Sequence, residues 1–315
     1  MHNRRLECFL VTAEEMNFSR AAQRLYISQQ ALSDSIQKLE QEYGISLFER
    51  KPRLRLTVAG EHMLFYAKQV SDAERDLENI LADISNKTVG QIVLGISQLR
   101  ARVLIPGIMR TYHALYPNVR FILKNANSIQ MTSFLLNRDI DIYIGIGYST
   151  TPSVVYEELA KERQICIFNK EIAGTYLSSE QIQYLEECRT HGISLQEFAG
   201  MAEFPYVLPS AENRIRKNID HFFYENKIHP NVLFESNSNN LIALLSRQGE
   251  AVGIISEIGV PDTLKNDTDL FCLPITNEVL NSSTGFAYLR ERKLPQFERD
   301  FLSIARREIC ARYNL

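Results

Sequence analysis

The 315-residue chain has no apolar run approaching the roughly 20 residues needed to span a bilayer. Its opening, MHNRRLECFLVTAEEMNF, shows helical periodicity where a signal peptide would carry an uninterrupted apolar stretch. No membrane partner is expected, and the chain reads as cytoplasmic. Cysteine is sparse: Cys8, Cys166, Cys188, Cys272 and Cys310 are odd in number, far apart and without C-x-x-C pairing. That argues against a disulfide framework and against a zinc site. Reactive signatures are missing as well. There is no G-x-S-x-G, no G-x-x-x-x-G-K-S/T and no H-E-x-x-H, and the six histidines are dispersed. No enzyme, metal or cofactor is expected.

What is present is the composition of an ordinary globular protein, 45% hydrophobic and 23% charged, in a chain long enough for two or three domains. The net charge of −3 is unevenly spread, with residues 1–60 at +2 and the remainder at −5. Arg50, Lys51, Arg53 and Arg55 fall within six positions. A small basic part suffices for phosphate contacts whatever the whole-chain charge.

Leu6, Phe9, Leu10 and Ala13 repeat at helical spacing, as do Phe18, Ala21, Ala22 and Leu25 after a break at Asn17. Ser28 is placed to cap a third helix running to about Tyr43, with Leu32, Ile36, Leu39 and Tyr43 as its buried stripe and Gly44 as its stop. The small Ala21-Ala22 pair permits close helix crossing, and only a tight turn fits between Leu25 and Gln29. Helix, turn, helix places the second helix in a major groove. Its outer face carries Gln29, Gln30, Ser33, Asp34 and Gln37, where glutamines suit adenine edges and Ser33 suits a base or a phosphate. A plain solvated polar face remains the alternative for these residues alone. The following segment, Glu49-Arg50-Lys51-Pro52-Arg53-Leu54-Arg55-Leu56, predicts a short hairpin with an apolar inner and a basic outer side. Arg53 near its tip suits a minor groove, and Arg50 and Arg55 suit phosphates. An ordinary basic surface hairpin is the alternative there.

The run Phe18-Ser19-Arg20-Ala21-Ala22, Leu25, Ile27-Ser28-Gln29, Ala31-Leu32-Ser33, Ile36, Leu39-Glu40, Gly44, Leu47-Phe48, Arg50, Leu56-Thr57 and Gly60 resembles the DNA-binding domain of LysR-type transcriptional regulators. The chain departs from the family's usual pattern at three places. Met16-Asn17 replaces Gly-Ser, Gln30 stands where proline is frequent, and Asp34 where a basic residue is. The resemblance implies DNA binding through Ser28, Gln29, Gln30, Ser33, Asp34, Gln37, Arg50, Arg53 and Arg55. An acidic Asp34 on the groove-facing helix repels phosphate unless it selects among sequences or pairs internally.

From Thr57 to Asn86 there is no proline, and Gly60 is the only glycine. Met63, Val70, Leu77 and Ile84 are spaced by seven, with Tyr66, Ala73 and Ile80 three positions after the first three. This a/d seam predicts a long helix that pairs with a second copy, and packing on its own domain is the alternative. In the resembled family this linker joins two subunits, and tetramers are common, so a homodimer or homotetramer is expected.

Lys87-Thr88-Val89-Gly90 reads as a hinge. Beyond it strands at 91–97, 119–124 and 140–146 alternate with helices at 104–116 and 129–137. A second series has strands at 164–168, 206–208, 232–235 and 251–255, with helices at 213–226 and 241–248. Strands at 270–274 and 285–289 and a helix at 295–313 close the chain. The alternation predicts mostly parallel sheets covered by helices. The expected fold is α/β with an N-terminal winged helix-turn-helix (1–58), a linker helix (59–86), a hinge (87–90) and a two-lobed α/β effector domain (91–315). Lobe I takes about 91–163 and 268–315, and lobe II about 164–267. The last domain is similar to the family's effector domain, itself similar to periplasmic solute-binding proteins. Residues 180–189 read as an additional helix.

Ligands in such sheets bind beyond strand carboxyl ends, where helix N-termini converge. The rule selects Ser97, Gln98, Leu99, Asn127, Ser128, Gly147, Tyr148, Ser210, Asn213, Ser236, Asn237 and Ser238, with Arg100, Arg102 and Arg214 near enough to hold a carboxylate. Caps and turns are the competing role of such residues. The expected partners are double-stranded promoter DNA, a small-molecule effector of anionic or amino-acid-like type, RNA polymerase and further copies of the chain. Two alternatives stay open: a regulator switched by oxidation of Cys166 or Cys188, and a solute-binding protein.

Overall fold

The computed structural model describes residues 2–51, 53–84, 89–125, 128–147, 151–194, 203–276 and 280–313, without the side chains of 2, 3, 82–84, 128, 129 and 262. Lys87 and Thr88 of the expected hinge, the cleft positions Asn127 and Tyr148, and the side chains of Ser128 and Ile84 therefore lie outside the described residues. The chain divides into two compact units, one built on residues 1–90 and the other holding most of 91–315.

The first unit contains α1 (His2–Glu15), α2 (Phe18–Arg24), α3 (Gln29–Tyr43), the hairpin β1 (Phe48–Glu49) and β2 (Arg55–Leu56), and α4 (Val58–Ile84). Asn17 Oδ1 accepts from the N–H groups of Ser19 and Arg20 and opens α2. Ser28 Oγ accepts from Ala31 N–H at 3.1 Å and opens α3. Gly44, at φ 66°, closes α3 in the left-handed conformation that a side chain would disfavour. Ala21 and Ala22 are buried at the crossing, and Leu6, Phe9, Leu32, Ile36 and Leu39 fill the core around them. Tyr43 departs from its expected place in the buried stripe and is 47% exposed. The turn at Gly44 brings Leu47 and Phe48 into the core instead. The hairpin pairs Phe48 with Leu56 and Glu49 with Arg55, so its apolar pair packs inward and its charged pair faces out. Gly60 allows α4 to pass this close, since a Cβ there would lie 2.1 Å from the Leu47 carbonyl oxygen.

The seam of the 27-residue α4 is split. Met63 is buried among the residues of the helix-turn-helix core, and Val70 packs partly against them. This corrects the assignment of Met63 to a dimer seam, because α1 already covers it. Tyr66, Ala73 and Leu77 remain exposed, and Ile80 is half-buried.

In the second unit, lobe I is β3 (Gly90–Ile96), α5 (Gln98–Leu115), β4 (Val119–Lys124), α6 (Ser128–Leu136), β5 (Ile142–Ile146) and β6 (Val154–Glu162), joined later by β12 (Ser282–Leu289) and α12 (Gln296–Arg312). Lobe II is β7 (Gln164–Asn169), α7 (Lys170–Tyr176), α8 (Ser179–His191), β8 (Pro205–Leu208), α9 (Arg214–Glu225), β9 (Asn231–Glu235), α10 (Asn239–Arg247), β10 (Val252–Ser256), α11 (Asp262–Lys265) and β11 (Leu270–Pro274). The sheets run β4-β3-β5-β12-β6 and β11-β7-β10-β8-β9. The expected extra helix is α8, opened by a reciprocal cap between Ser178 and Gln181.

Two expectations are corrected. The sheets are mixed, because the chain crosses between lobes twice in opposite directions. β6 pairs antiparallel with β12, and β7 pairs antiparallel with both β11 and β10. The parallel pairings join strands linked through helical crossovers, such as β3 with β5 and β8 with β10. The return to lobe I also comes later than residue 268, since β11 is fully paired with β7 through Pro274.

Lobe I carries a buried ion cluster where α12 begins. The Arg292 guanidinium donates to both carboxylate oxygens of Glu298, at 3.0 and 2.8 Å. It also lies 3.4 Å from Asp141, whose other oxygen accepts from Val93 N–H at 2.7 Å. Removing one partner of a buried pair leaves an uncompensated charge. Glu298→Ala is therefore expected to lower stability by about 3–5 kcal/mol, read as a lower urea midpoint for the full chain. Arg163→Ala, which breaks the exposed pair with Glu257, is expected to cost no more than about 1 kcal/mol.

Candidate nucleic-acid interface and ligand cleft

The first unit brings the start of α2, the start of α3 and the hairpin together around an open groove of about 630 Å³. Ser19, Gln29, Ser33, Arg50 and Arg53 line it beside Asn17, Phe18 and Leu54. Ser19, Gln29 and Arg50 are held by local structure. The Ser28 cap points the first turn of α3 outward, and Ser19 Oγ donates to Gln29 Oε1 at 3.0 Å, orienting that carboxamide. The Arg50 guanidinium stacks over the Phe18 ring at 5.4 Å and lies 3.8 Å from Glu40. Arg53 is exposed at the hairpin tip, and no ion pair to it is found among the described residues. Arg55 instead pairs with Glu49 across the hairpin at 2.7 Å.

Gln30, Asp34 and Gln37 lie outside this groove, exposed on the adjoining stripe of α3. Asp34 has no ion-pair partner among the described residues, so its charge faces solvent. Ser19 is a groove residue missed in the sequence, as are Met16, Asn17, Phe18 and Leu54. For Ser19, its position in the first turn of α2, ten residues before Gln29, was the available signal.

In the second unit a cleft of about 360 Å³ lies between the lobes. The sequence-selected Ser97, Gln98, Leu99, Arg100, Asn213, Arg214 and Asn237 line it, together with the unforeseen Asn125, Tyr143, Ile146, Glu212, Ile215 and Asn239. Ser97 and Asn213 cap α5 and α9, so two helix N-termini face the cavity. Gly147 contributes its carbonyl, which accepts from Arg214 Nη1 across the cleft at 2.9 Å. Ser210 and Ser236 sit in turns outside the lining, where Ser210 accepts from Asn213 N–H and Ser236 Oγ from Ser238 N–H. Ser238 caps α10. Arg102 spans the lobes, donating to Asn240 Oδ1 at 2.5 Å and to the Gly259 carbonyl at 3.2 Å. Tyr143 was hidden in the sequence because β5 is a continuous buried run.

Behind this wall is a buried carboxylate, Glu162, at the crossover from lobe I to lobe II. It accepts from Arg100 Nη2 at 2.5 Å, Tyr313 Oη at 2.6 Å, Thr284 Oγ1 at 2.7 Å and Ser256 Oγ. Burial pushes its carboxyl up, yet the Arg100 charge and the hydroxyl donors outweigh this and hold it below the ordinary value. Burial also lowers Arg100, and the Glu162 charge reverses that. Cys166 and Cys188 lie in the apolar core of lobe II. Burial raises the Cys166 thiol well above its usual range, opposite to the thiolate that redox sensing requires.

A winged helix-turn-helix unit joined to a two-lobed α/β unit with a polar interlobe cleft is the architecture of two-module regulators. Residues 3–61 match the bacterial regulatory helix-turn-helix protein model of the lysR family, and residues 85–309 match the LysR substrate binding domain. The chain belongs to the LysR family. It is 27% identical over 173 residues to the HTH-type transcriptional regulator YraN of Bacillus subtilis, covering 55% of this chain and 58% of that one. It is 22% identical over 294 residues to CysB of Haemophilus influenzae, covering 93% of this chain and 85% of the relative. The chain spans 58% and 50% of the length of two Bacillus subtilis relatives it matches. A crystal structure of full-length CbnR complexed with its target DNA has the same fold, with a TM-score of 0.65 at 18% identity over 98% of this chain and 100% of that one. No helix among the described residues is long and apolar enough to cross a membrane.

The folded carboxyl of Glu162 titrates below its unfolded value, so its stabilisation is fully present above pH 4.5 and is lost as pH falls through the lower folded value. Urea unfolding between pH 6 and pH 3 is expected to show that loss. Glu162→Gln is expected to be less stable at pH 6 and to flatten the slope in this window.

Proposed function

We propose that this protein is a cytoplasmic transcription regulator that binds promoter DNA through its N-terminal unit and answers a small-molecule effector in the interlobe cleft. The observation that carries the reading is the groove that gathers Ser19, Gln29, Ser33, Arg50 and Arg53. Arg53 supplies charge for a narrow minor groove, Arg50 for phosphate, and Gln29 and Ser33 meet base edges in the major groove. The family and the DNA-bound CbnR neighbour support this reading over an enzymatic one.

Two recognition helices need two copies of the chain. Phe65, Tyr66, Leu77 and Leu81 are between 44% and 56% exposed along α4, more apolar surface than a lone helix leaves in water. A groove of about 440 Å³ between α1 and α4, floored by Leu6, Leu10, Ala67 and Val70, adds to that surface. Edge strand β9 exposes Leu233 and Phe234, and edge strand β4 exposes Leu123, which supports further pairing into a tetramer. Effector binding biases the angle between lobes, and the change reaches RNA polymerase through the spacing of the DNA-bound copies.

Footprinting on the DNA upstream of the protein's own gene tests the reading, and absence of protection at low salt would sink it. Arg50→Ala, at the phosphate contact, is expected to weaken binding on all sequences and reduce the salt slope by about one. Ser33→Ala is expected to relax discrimination at one base position. Leu77→Glu is expected to convert dimers to monomers by light scattering and to shorten the footprint to one half-site.

A further inference from the structure

The electrostatics of the cleft narrow its ligand class, an inference that rests on the effector reading above. Three charged side chains line the cavity: Arg100, Arg214 and Glu212. Arg100 is 5% exposed, and its charge is already matched by Glu162 directly behind it. Counting that counter-ion, the formal charge around the cavity is zero, so a ligand carrying net charge would enter a site with no net charge to meet it.

The cavity is not electrically featureless, however. The lobe I wall offers donors. These are the N-terminal N–H groups of α5, the Ser97 hydroxyl and Arg100 Nη1, which is held only loosely to Ser97 Oγ at 3.4 Å. The lobe II wall carries Glu212, exposed and without an ion-pair partner among the described residues, beside Arg214, whose Nη1 donates to the Gly147 carbonyl, and the carboxamides of Asn237 and Asn239. Gln98, Asn125 and Asn213 bring the carboxamides in the lining to five, and each both donates and accepts. A donor wall faces an acceptor carboxylate in a cavity of about 360 Å³, at the small end of ligand sites.

We propose that the effector is a small zwitterion of the α-amino-acid type, its carboxylate held by Ser97, Arg100 and the start of α5, and its ammonium by Glu212. A simple anion lacks a partner for Glu212 and is repelled by it. A simple amine leaves the donor wall unmatched. Because the two poles sit on different lobes, the same molecule ties the lobes together, which gives it the differential affinity that a switch requires.

Thermal unfolding and calorimetry of the full-length protein test this with the twenty standard α-amino acids as probes. Each is paired with its des-amino acid and its decarboxylated amine, propionate and ethylamine in the case of alanine. At least one amino acid is expected to raise the Tm saturably, with both analogues binding at least tenfold more weakly. Glu212→Gln, on an exposed turn, is expected to bring the amino acid and its des-amino analogue to within about twofold of each other. Glu162→Gln, where it folds, is expected to gain affinity for the monocarboxylate. Des-amino acids binding the wild type as tightly as amino acids would overturn the proposal, as would stabilisation by none of the twenty. So would stabilisation by glucose alone, included as a neutral polyol. Failure of the DNA footprint with amino-acid binding intact would instead remove the regulator reading and leave this assignment standing.

Discussion

Glu162 is the last residue of β6, and after the single intervening Arg163 the chain begins the sheet of the other lobe at Gln164. A carboxylate fully buried at such a place is tolerable only if every acceptor site is met. The donors come from separated parts of the chain: Arg100 on α5, Ser256 at the end of β10, Thr284 on β12 and Tyr313 just after α12. Three of these belong to lobe I and one to lobe II, so satisfying one charge fixes how the lobes meet. The antiparallel crossovers supply the geometry, because they set Glu162 beside β12, which carries Thr284. Arg100 then faces the cavity already neutralised, and the cleft inherits its chemistry from this junction.

The N-terminal unit works by the opposite arrangement. Its positive groups are left at the surface and only weakly compensated. Arg50 is held by an aromatic face and a distant Glu40, Arg55 by an exposed pair that water screens, and Arg53 stands at the hairpin tip. Such charges cost little to keep in water and are available to displace counterions from a polyanion. The apolar core beneath, from Phe9 through Leu39 to Phe48, makes the presentation rigid. Rigid backbone with accessible charge suits recognition of a regular duplex.

Legibility in the sequence follows how local each determinant is. Caps such as Ser28 and the stop at Gly44 are short-range, and the helix-turn-helix was readable from them. The hairpin was readable because its alternation and its basic cluster sit within eight residues. Strand β6 was missed because an edge strand carries charge to discourage pairing, and its Glu157, Glu158 and Lys161 mask the period of two. Sheet direction was misjudged for a related reason. Strand-helix alternation implies parallel neighbours, whereas β7 and β12 take neighbours distant in sequence. Met63 shows the limit of periodicity, since a heptad position says that a side chain is buried but not against which surface. In the cleft, the rule of strand ends found Ser97, Gln98 and Asn213. Tyr143 and Glu212 escaped it, one within a strand and one on a turn without an apolar pattern.

These two modes of using charge bear on how a ligand signal arises at all. A cavity with a free cation would bind any passing anion, and cells hold many. A cavity whose two cations, Arg100 and Arg214, are balanced by the two carboxylates Glu162 and Glu212 gains little from charge alone, so binding must come from matching several neutral groups and two opposite poles together. That requirement lowers affinity for simple ions and raises discrimination among polar metabolites. It also places the discriminating groups on both lobes, Ser97 and Gln98 on one and Glu212, Asn213 and Asn237 on the other. A ligand that satisfies only one wall leaves the interlobe angle where Arg102, Arg214 and the Glu162 junction already hold it. Selectivity and switching are therefore one property of this cleft, because only a ligand that completes both walls has a free-energy difference between two lobe arrangements to exploit.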